Sequence, residues 1–97
     1  MTDTVIPITA NPAQTMNVIL NNQNCVINLY QKNGSLYFDL YSSNNPLIIA
    51  RLCLDRTQLI FEKYLNFTGQ LFFVDMQGTK NPTYDLLGTR YILFYRI

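Results

Sequence analysis

Asp39 and Asp75 are the carboxylates that could in principle form an acid–base pair of the kind that cleaves glycosidic bonds. Asp39, however, stands between Tyr37 and Tyr41 on an alternating segment, facing away from Leu36, Phe38 and Leu40, and nothing in the sequence fixes its distance to Asp75. There is no histidine, which removes His-based triads, the usual general base near neutral pH and the commonest metal ligand. Gly34, Gly69, Gly78 and Gly88 stand singly, without the spacing of a phosphate-cradling loop, and read as turn or bulge residues. Cys25 and Cys53 sit among apolar neighbours in strand-like segments and read as two buried, reduced thiols; a disulfide would require their Cα atoms to approach within roughly 7 Å. These residues lead us to expect no catalytic, cofactor or metal site, with an enzyme as the remote reading.

The aromatic residues remain. Of six phenylalanines, Phe38, Phe72, Phe73 and Phe94 are expected to fill the core. Tyr37 and Tyr41 share the face opposite Leu36, Phe38 and Leu40, and tyrosine suits protein interfaces because its ring is apolar and its hydroxyl can be hydrogen-bonded. The same rings could stack the bases of a single strand, but that needs a basic groove, and only Lys32 lies close in sequence.

Alternation defines the elements that must position these side chains. Met16, Val18 and Leu20 alternate with Thr15, Asn17 and Ile19; Cys25, Ile27 and Leu29 share a face; Leu36, Phe38 and Leu40 share another. Asn33-Gly34 between the last two runs readily takes the positive φ angles of a type I′ hairpin turn, and Asn21 to Asn24 links the first two, predicting a three-strand antiparallel meander. Beyond Ser42-Ser43-Asn44-Asn45, the run Pro46 to Leu54 is apolar on both faces except at Arg51, which predicts a strand that is central or covered by an interface. The stretch Asp55 to Asn66 fits irregular structure or a short strand better than a helix, because Leu59, Ile60 and Phe61 are adjacent rather than helically spaced.

Gly69 opens a strand over Gln70 to Met76, with Leu71 and Phe73 facing opposite to Phe72 and Val74. A turn-rich loop follows, and a last strand from Thr89 to Ile97 alternates Tyr91, Leu93 and Tyr95 against Ile92 and Phe94; its position at the end of the chain predicts that it is paired into the sheet or against a partner. Val5-Ile6-Pro7-Ile8 reads as an edge strand or strand start, and residues 1–13 could form an extended N-terminal arm. The expected fold is therefore one all-β domain over residues 1–97: a small antiparallel β-barrel or two-sheet sandwich of six to seven strands.

Charged residues supply only 13% of the chain, about half the ~25% usual share, and the net charge is +1 with the basic residues scattered. A face with few charges costs less to desolvate when a neighbour covers it, and nothing here marks a nucleic-acid or anionic-membrane footprint. The polar, acidic start Met1-Thr2-Asp3-Thr4 is unlike a secretory signal and no run is long enough to span a membrane, so a soluble protein made in the cytosol is expected. Asn33-Gly34-Ser35 and Asn66-Phe67-Thr68 match the glycosylation pattern, and without such a signal both read as chance.

The order of motifs resembles the small baseplate plug proteins of contractile-tailed phages (myophages), including the cyanophage type. The resemblance is carried by Ile6-Pro7-Ile8-Thr9-Ala10-Asn11-Pro12-Ala13-Gln14, by Leu29-Tyr30 with Leu36-Tyr37-Phe38-Asp39-Leu40, and by Tyr64-Leu65-Asn66-Phe67-Thr68-Gly69-Gln70-Leu71. It continues in Asp75-Met76-Gln77-Gly78, Asn81-Pro82-Thr83-Tyr84, Leu87-Gly88-Thr89-Arg90-Tyr91 and Leu93-Phe94-Tyr95. Thr68 and Lys80 depart from the pattern, and Asp55 to Lys63 matches it poorly. The resemblance implies a non-enzymatic virion structural protein of the tail baseplate, made in the host cytoplasm. Its partners would be hub and tail-tube proteins and copies of itself in a threefold or sixfold assembly, without nucleic acid, membrane or cofactor.

Within that reading, Gly78, Pro82 and Gly88 could fix the loop from Gln77 to Leu87 so that Tyr84 and Arg90 contact a neighbouring subunit. The alternative for Arg90 is an internal pair with Asp75 or Asp85. The candidate interface residues are thus Tyr37, Tyr41, Tyr84 and Arg90, and the rival function is a small β-barrel module that binds single-stranded nucleic acid or glycan.

Overall fold

Three two-residue turns build the larger half of the molecule. Asn21-Asn22, Asn33-Gly34 and Ser43-Asn44 all have positive φ at both positions, between 50° and 81°, the signature of type I′ turns whose twist matches that of the strands they join. In the computed structural model, which describes residues 3–60 and 69–96, these turns join β2 (Ala13–Leu20), β3 (Gln23–Lys32), β4 (Ser35–Ser42) and β5 (Asn45–Leu52) into a four-stranded antiparallel sheet in sequential order. The expected meander is present and one strand longer.

A second sheet, in the order β1-β7-β6, combines β1 (Asp3–Ile6), β6 (Gln70–Asp75) and β7 (Tyr91–Arg96), again antiparallel. The two sheets are separate and share one core, so of the two expected architectures the sandwich is the one adopted. Its inner faces follow the alternation: Cys25, Ile27 and Leu29 from β3, Leu36, Phe38 and Leu40 from β4, Leu71 and Phe73 from β6, and Tyr91, Leu93 and Tyr95 from β7 are all buried. No helix among the described residues is long and apolar enough to cross a membrane.

Two expectations are corrected. Phe72 and Phe94 do not enter the core; they are half-buried on the outer face of the three-stranded sheet, stacked on each other with ring centroids 5.6 Å apart. The pleat is the reason: with Leu71, Phe73, Leu93 and Tyr95 turned inward, their neighbours must turn outward, and Tyr91 and Tyr95 take the aromatic volume inside. Of the two readings of the 46–54 run, the central one is overturned: β5 is an edge strand with Ile49 56% and Leu52 42% exposed, which leaves the reading of a strand covered by an interface. Pro46, which has no N–H for a second neighbour, and a register break around Ala50 (φ 56°) suit an edge and mask the one-sided burial.

After β5 the chain is irregular, touching β6 through single bridges at Asp55–Phe73 and Gln58–Phe72, as expected for the described part of the 55–66 stretch. Positions 61–66, the Tyr64–Thr68 motif and the acceptor pattern at Asn66 lie outside the described residues. The loop after β6 contains a 3₁₀ turn, Tyr84–Leu86. Residues 3–6 pair with β7, and Pro7 follows where that strand ends.

Candidate interaction site

The outer face of the four-stranded sheet is laid out by its register. Counting from the Asn33-Gly34 turn, Tyr30 falls opposite Tyr37 and Leu29 opposite Phe38; from the Asn21-Asn22 turn, Ala13 falls opposite Tyr30 and Asn17 opposite Val26. With Leu52 beside Tyr37 and Pro46 beside Tyr41, two rows cross the sheet: Ala13–Tyr30–Tyr37–Leu52 and Asn17–Val26–Tyr41–Pro46. Tyr30 and Tyr37 stack with centroids 6.0 Å apart. Tyr30, missed as a candidate, was reachable from the sequence, because the two-residue turn sets its partner.

Between the rows lies Asp39. Its Oδ1 accepts the Tyr30 hydroxyl at 2.9 Å and the Ala50 N–H at 2.7 Å, and Asn28 Nδ2 donates to Oδ2 at 3.4 Å. Thr15 extends the chain by donating its hydroxyl to Asn28 Oδ1 at 2.8 Å. The carboxylate therefore clamps the bulge of β5 by catching the N–H of the left-handed Ala50. Burial, reinforced by the bond to Asp39, pushes the Tyr30 hydroxyl up to about 12, so it stays a neutral donor at physiological pH. Asp39→Ala should cost about 2 kcal/mol in urea unfolding, since it removes charge-assisted bonds and frees a bulge N–H; an unchanged midpoint would mean the bulge holds without the clamp.

Tyr37 and Tyr41 thus share one half-buried face, as expected. Tyr84 lies apart, 38% exposed at the start of the 3₁₀ turn, where its backbone N–H donates to Gln31 Oε1 at 3.1 Å and ties the loop to the end of β3. Arg90 is bound within the chain. Its Nε and Nη2 donate to Asp75 Oδ1 and Oδ2 at 2.7 and 2.9 Å, a bidentate pair, and the guanidinium lies 5.5 Å from the Tyr91 ring centroid. Asp75 is 1% exposed and accepts two further bonds, from the backbone N–H of Gln77 at 2.9 Å and of Lys80 at 2.8 Å. The bond from Arg90, the largest influence, holds the Asp75 carboxyl far below the usual carboxylate range against the opposing effect of burial. Arg56 completes the hub by donating to Asp55, to the Gly78 carbonyl and to the Asp75 carbonyl.

Asp39 and Asp75 do not come together: one is on the outer face of one sheet, the other at the inner face of its partner sheet, and both have donors bound to them. No cluster of metal-ligating residues exists among the described residues. Cys25 and Cys53 are both buried and free, and burial pushes each thiol up. On the outer face of the three-stranded sheet, a depression of about 370 Å³ is lined by Arg56, Gln58, Gln70, Phe72, Val74 and Arg96. Its two guanidiniums are compensated by Asp55 and Asp3.

No curated protein matches the chain. A family model described as cyanophage baseplate Pam3 plug gp18 matches residues 4–97, and the chain belongs to that family of phage baseplate plug proteins.

Proposed function

We propose that the protein is a non-enzymatic part of a phage tail baseplate that plugs or joins the hub and tube region through protein–protein contacts. The observation that carries this reading is the outer face of the four-stranded sheet: two rows of tyrosine, aliphatic and amide side chains in which the one carboxylate, Asp39, is already bound by three donors. A neighbour can cover the part of this face around Asp39 without leaving that carboxylate's oxygens unbonded, Lys32 standing at its end on β3, and half-exposed tyrosines supply the anchoring area. Membership of the plug family supplies the setting, the virion baseplate. Tyr84, exposed on a loop fastened at Gln31 and at the Asp75 hub, extends the contact surface beyond the sheet. Arg90 contributes through that hub, by holding the loop.

Tail particles assembled with Tyr37→Ala/Tyr41→Ala should contain at least about tenfold less of the protein than wild type, with Tyr84→Ala giving a smaller loss. Normal incorporation of the double variant would remove the tyrosine face from the interface. Salt-sensitive binding of oligonucleotides, or binding of a glycan, by the isolated protein would replace the assembly reading with a ligand-binding one.

A further inference from the structure

The two sheets expose four edges among the described residues, and three are blocked. β1 is four residues long and followed by Pro7. β5 carries Pro46, a register break and a left-handed Ala50 whose N–H is turned into Asp39. β6 has its outer groups occupied: Arg56 N–H donates to the Phe73 carbonyl at 2.7 Å, Leu59 N–H to the Leu71 carbonyl at 2.9 Å, and Asp75 N–H to Asp55 Oδ1 at 2.7 Å. Short length, proline, bulges and covering segments are the usual devices that keep an edge from pairing with another chain.

β2 has none of them. Ala13–Leu20 runs eight residues in unbroken register with β3 and contains no proline and no charge. The bond from Gln31 N–H to the Pro12 carbonyl at 2.8 Å sets the parity of the ladder, so Gln14, Met16, Val18 and Leu20 point their backbone groups at β3. Ala13, Thr15, Asn17 and Ile19 point theirs outward, where no described residue meets them. Above this edge Ile19 is 72% exposed, and below it Met16 and Val18 reach the core only at its rim, part of each side chain left uncovered.

We infer that the edge of β2 is a self-association site, at which a second copy of this chain adds its own β2 antiparallel across a twofold axis to give a continuous eight-stranded sheet. A twofold contact sets each residue against the same surface of its partner, so any charge on the strand would face or neighbour its own copy; β2 carries none. With Asn17 opposite the partner's Asn17, Thr15 meets Ile19 and Met16 meets Val18, so the rim of each core is covered by the other. The outward groups of Thr15, Asn17 and Ile19 then all join the ladder. The inference does not depend on the baseplate reading.

Sedimentation of the isolated protein tests it. Wild type should be a dimer whose dissociation constant rises at least about tenfold in Asn17→Lys, which sets like charges opposite each other, while Asn17→Gln keeps the wild-type value. Asn17 is exposed, and its outward N–H meets no partner among the described residues, so circular dichroism and Tm, both measured below the wild-type dissociation constant, should stay unchanged in both. Asn17→Pro, which removes that N–H, should also dissociate the dimer. In the dimer, the amides of Thr15, Asn17 and Ile19 should exchange more slowly as concentration rises. A wild-type protein still monomeric at about 1 mM, even one that binds a strand of a different protein at this edge, would overturn the inference. So would a dimer that Asn17→Lys and Asn17→Pro leave intact.

Discussion

Asp75→Asn is expected to lower Tm at neutral pH by roughly 10–20 °C, the largest effect of any single polar substitution considered for this fold. The carboxylate is buried at the inner end of β6, and four donors converge on it: two from Arg90 and the backbone N–H groups of Gln77 and Lys80. An asparagine keeps one acceptor oxygen but sets its NH₂ against donors that have nowhere else to turn, and leaves Arg90 with an unmatched charge in a site only 19% open to solvent. The double replacement Asp75→Asn/Arg90→Gln should lose less than the sum of the single losses, since it removes the stranded charge as well as the pair. Strict additivity would show that the two side chains act independently.

The same carboxylate sets the acid response. Its folded-state pKa is depressed, chiefly by Arg90, so the stability it contributes is complete above the unfolded value near 3.9 and is lost as pH falls from about 5 toward the folded value. Wild type should therefore lose Tm steadily below about pH 5, and Asp75→Asn should flatten most of that slope. Asp3, paired with Arg96 at 2.7 Å on the surface, is shifted in the same direction by its partner, and its share of the slope should shrink in salt. A slope unaltered in Asp75→Asn would move the acid-sensitive group elsewhere.

Which parts of this hub could be read in advance follows from the range of the forces involved. Alternation is local, so the inner faces of β3 and β4 were legible residue by residue, whereas on β6 and β7 it separated the two faces without saying which turns inward, and Phe72 and Phe94 were expected inside beside Phe73. The Asn33-Gly34 turn was legible because its two residues favour positive φ; Asn21-Asn22 and Ser43-Asn44 do the same work less distinctively and were visible only as turn-rich clusters. The pairing of β1 with β7 joins opposite ends of the sequence, Asp3 opposite Arg96, and no local pattern encodes it. For β5 the pattern could not separate its two readings: apolar residues on both faces mark a central strand or one covered by a neighbour, and Ile49 and Leu52 stay exposed on an edge.

The candidate interface divides the same way. Tyr37 and Tyr41 were legible as a shared face because i and i+2 must share one, whereas the Tyr30–Tyr37 stack required the turn register as well as the alternation. Arg90 had two open readings, neighbour or internal carboxylate, that only three-dimensional placement could separate. The open edge of β2 has no motif at all. It is recognised by comparison, from devices that β1, β5 and β6 possess and β2 lacks.

Gly88→Ala carries the second large expected effect, a loss on the order of 3 kcal/mol in urea unfolding. Gly88 has φ +86° and donates its N–H to the Tyr91 carbonyl at 2.9 Å, closing the turn that leads into β7. A Cβ there would lie 2.5 Å from the Ile8 carbonyl oxygen, which belongs to backbone and cannot rotate away. The substitution therefore combines left-handed strain with displacement of the segment just after β1, and it should raise hydrogen exchange at the β1–β7 pairing more than in the four-stranded sheet. Gly34→Ala isolates the first of these two costs: its φ is a similar +81°, but nothing lies within 4 Å of the added carbon, so about 1 kcal/mol is expected. Equal losses at the two positions would mean that backbone strain alone governs both, and that the contact between the Gly88 turn and Ile8 does not help to hold β1 in its sheet.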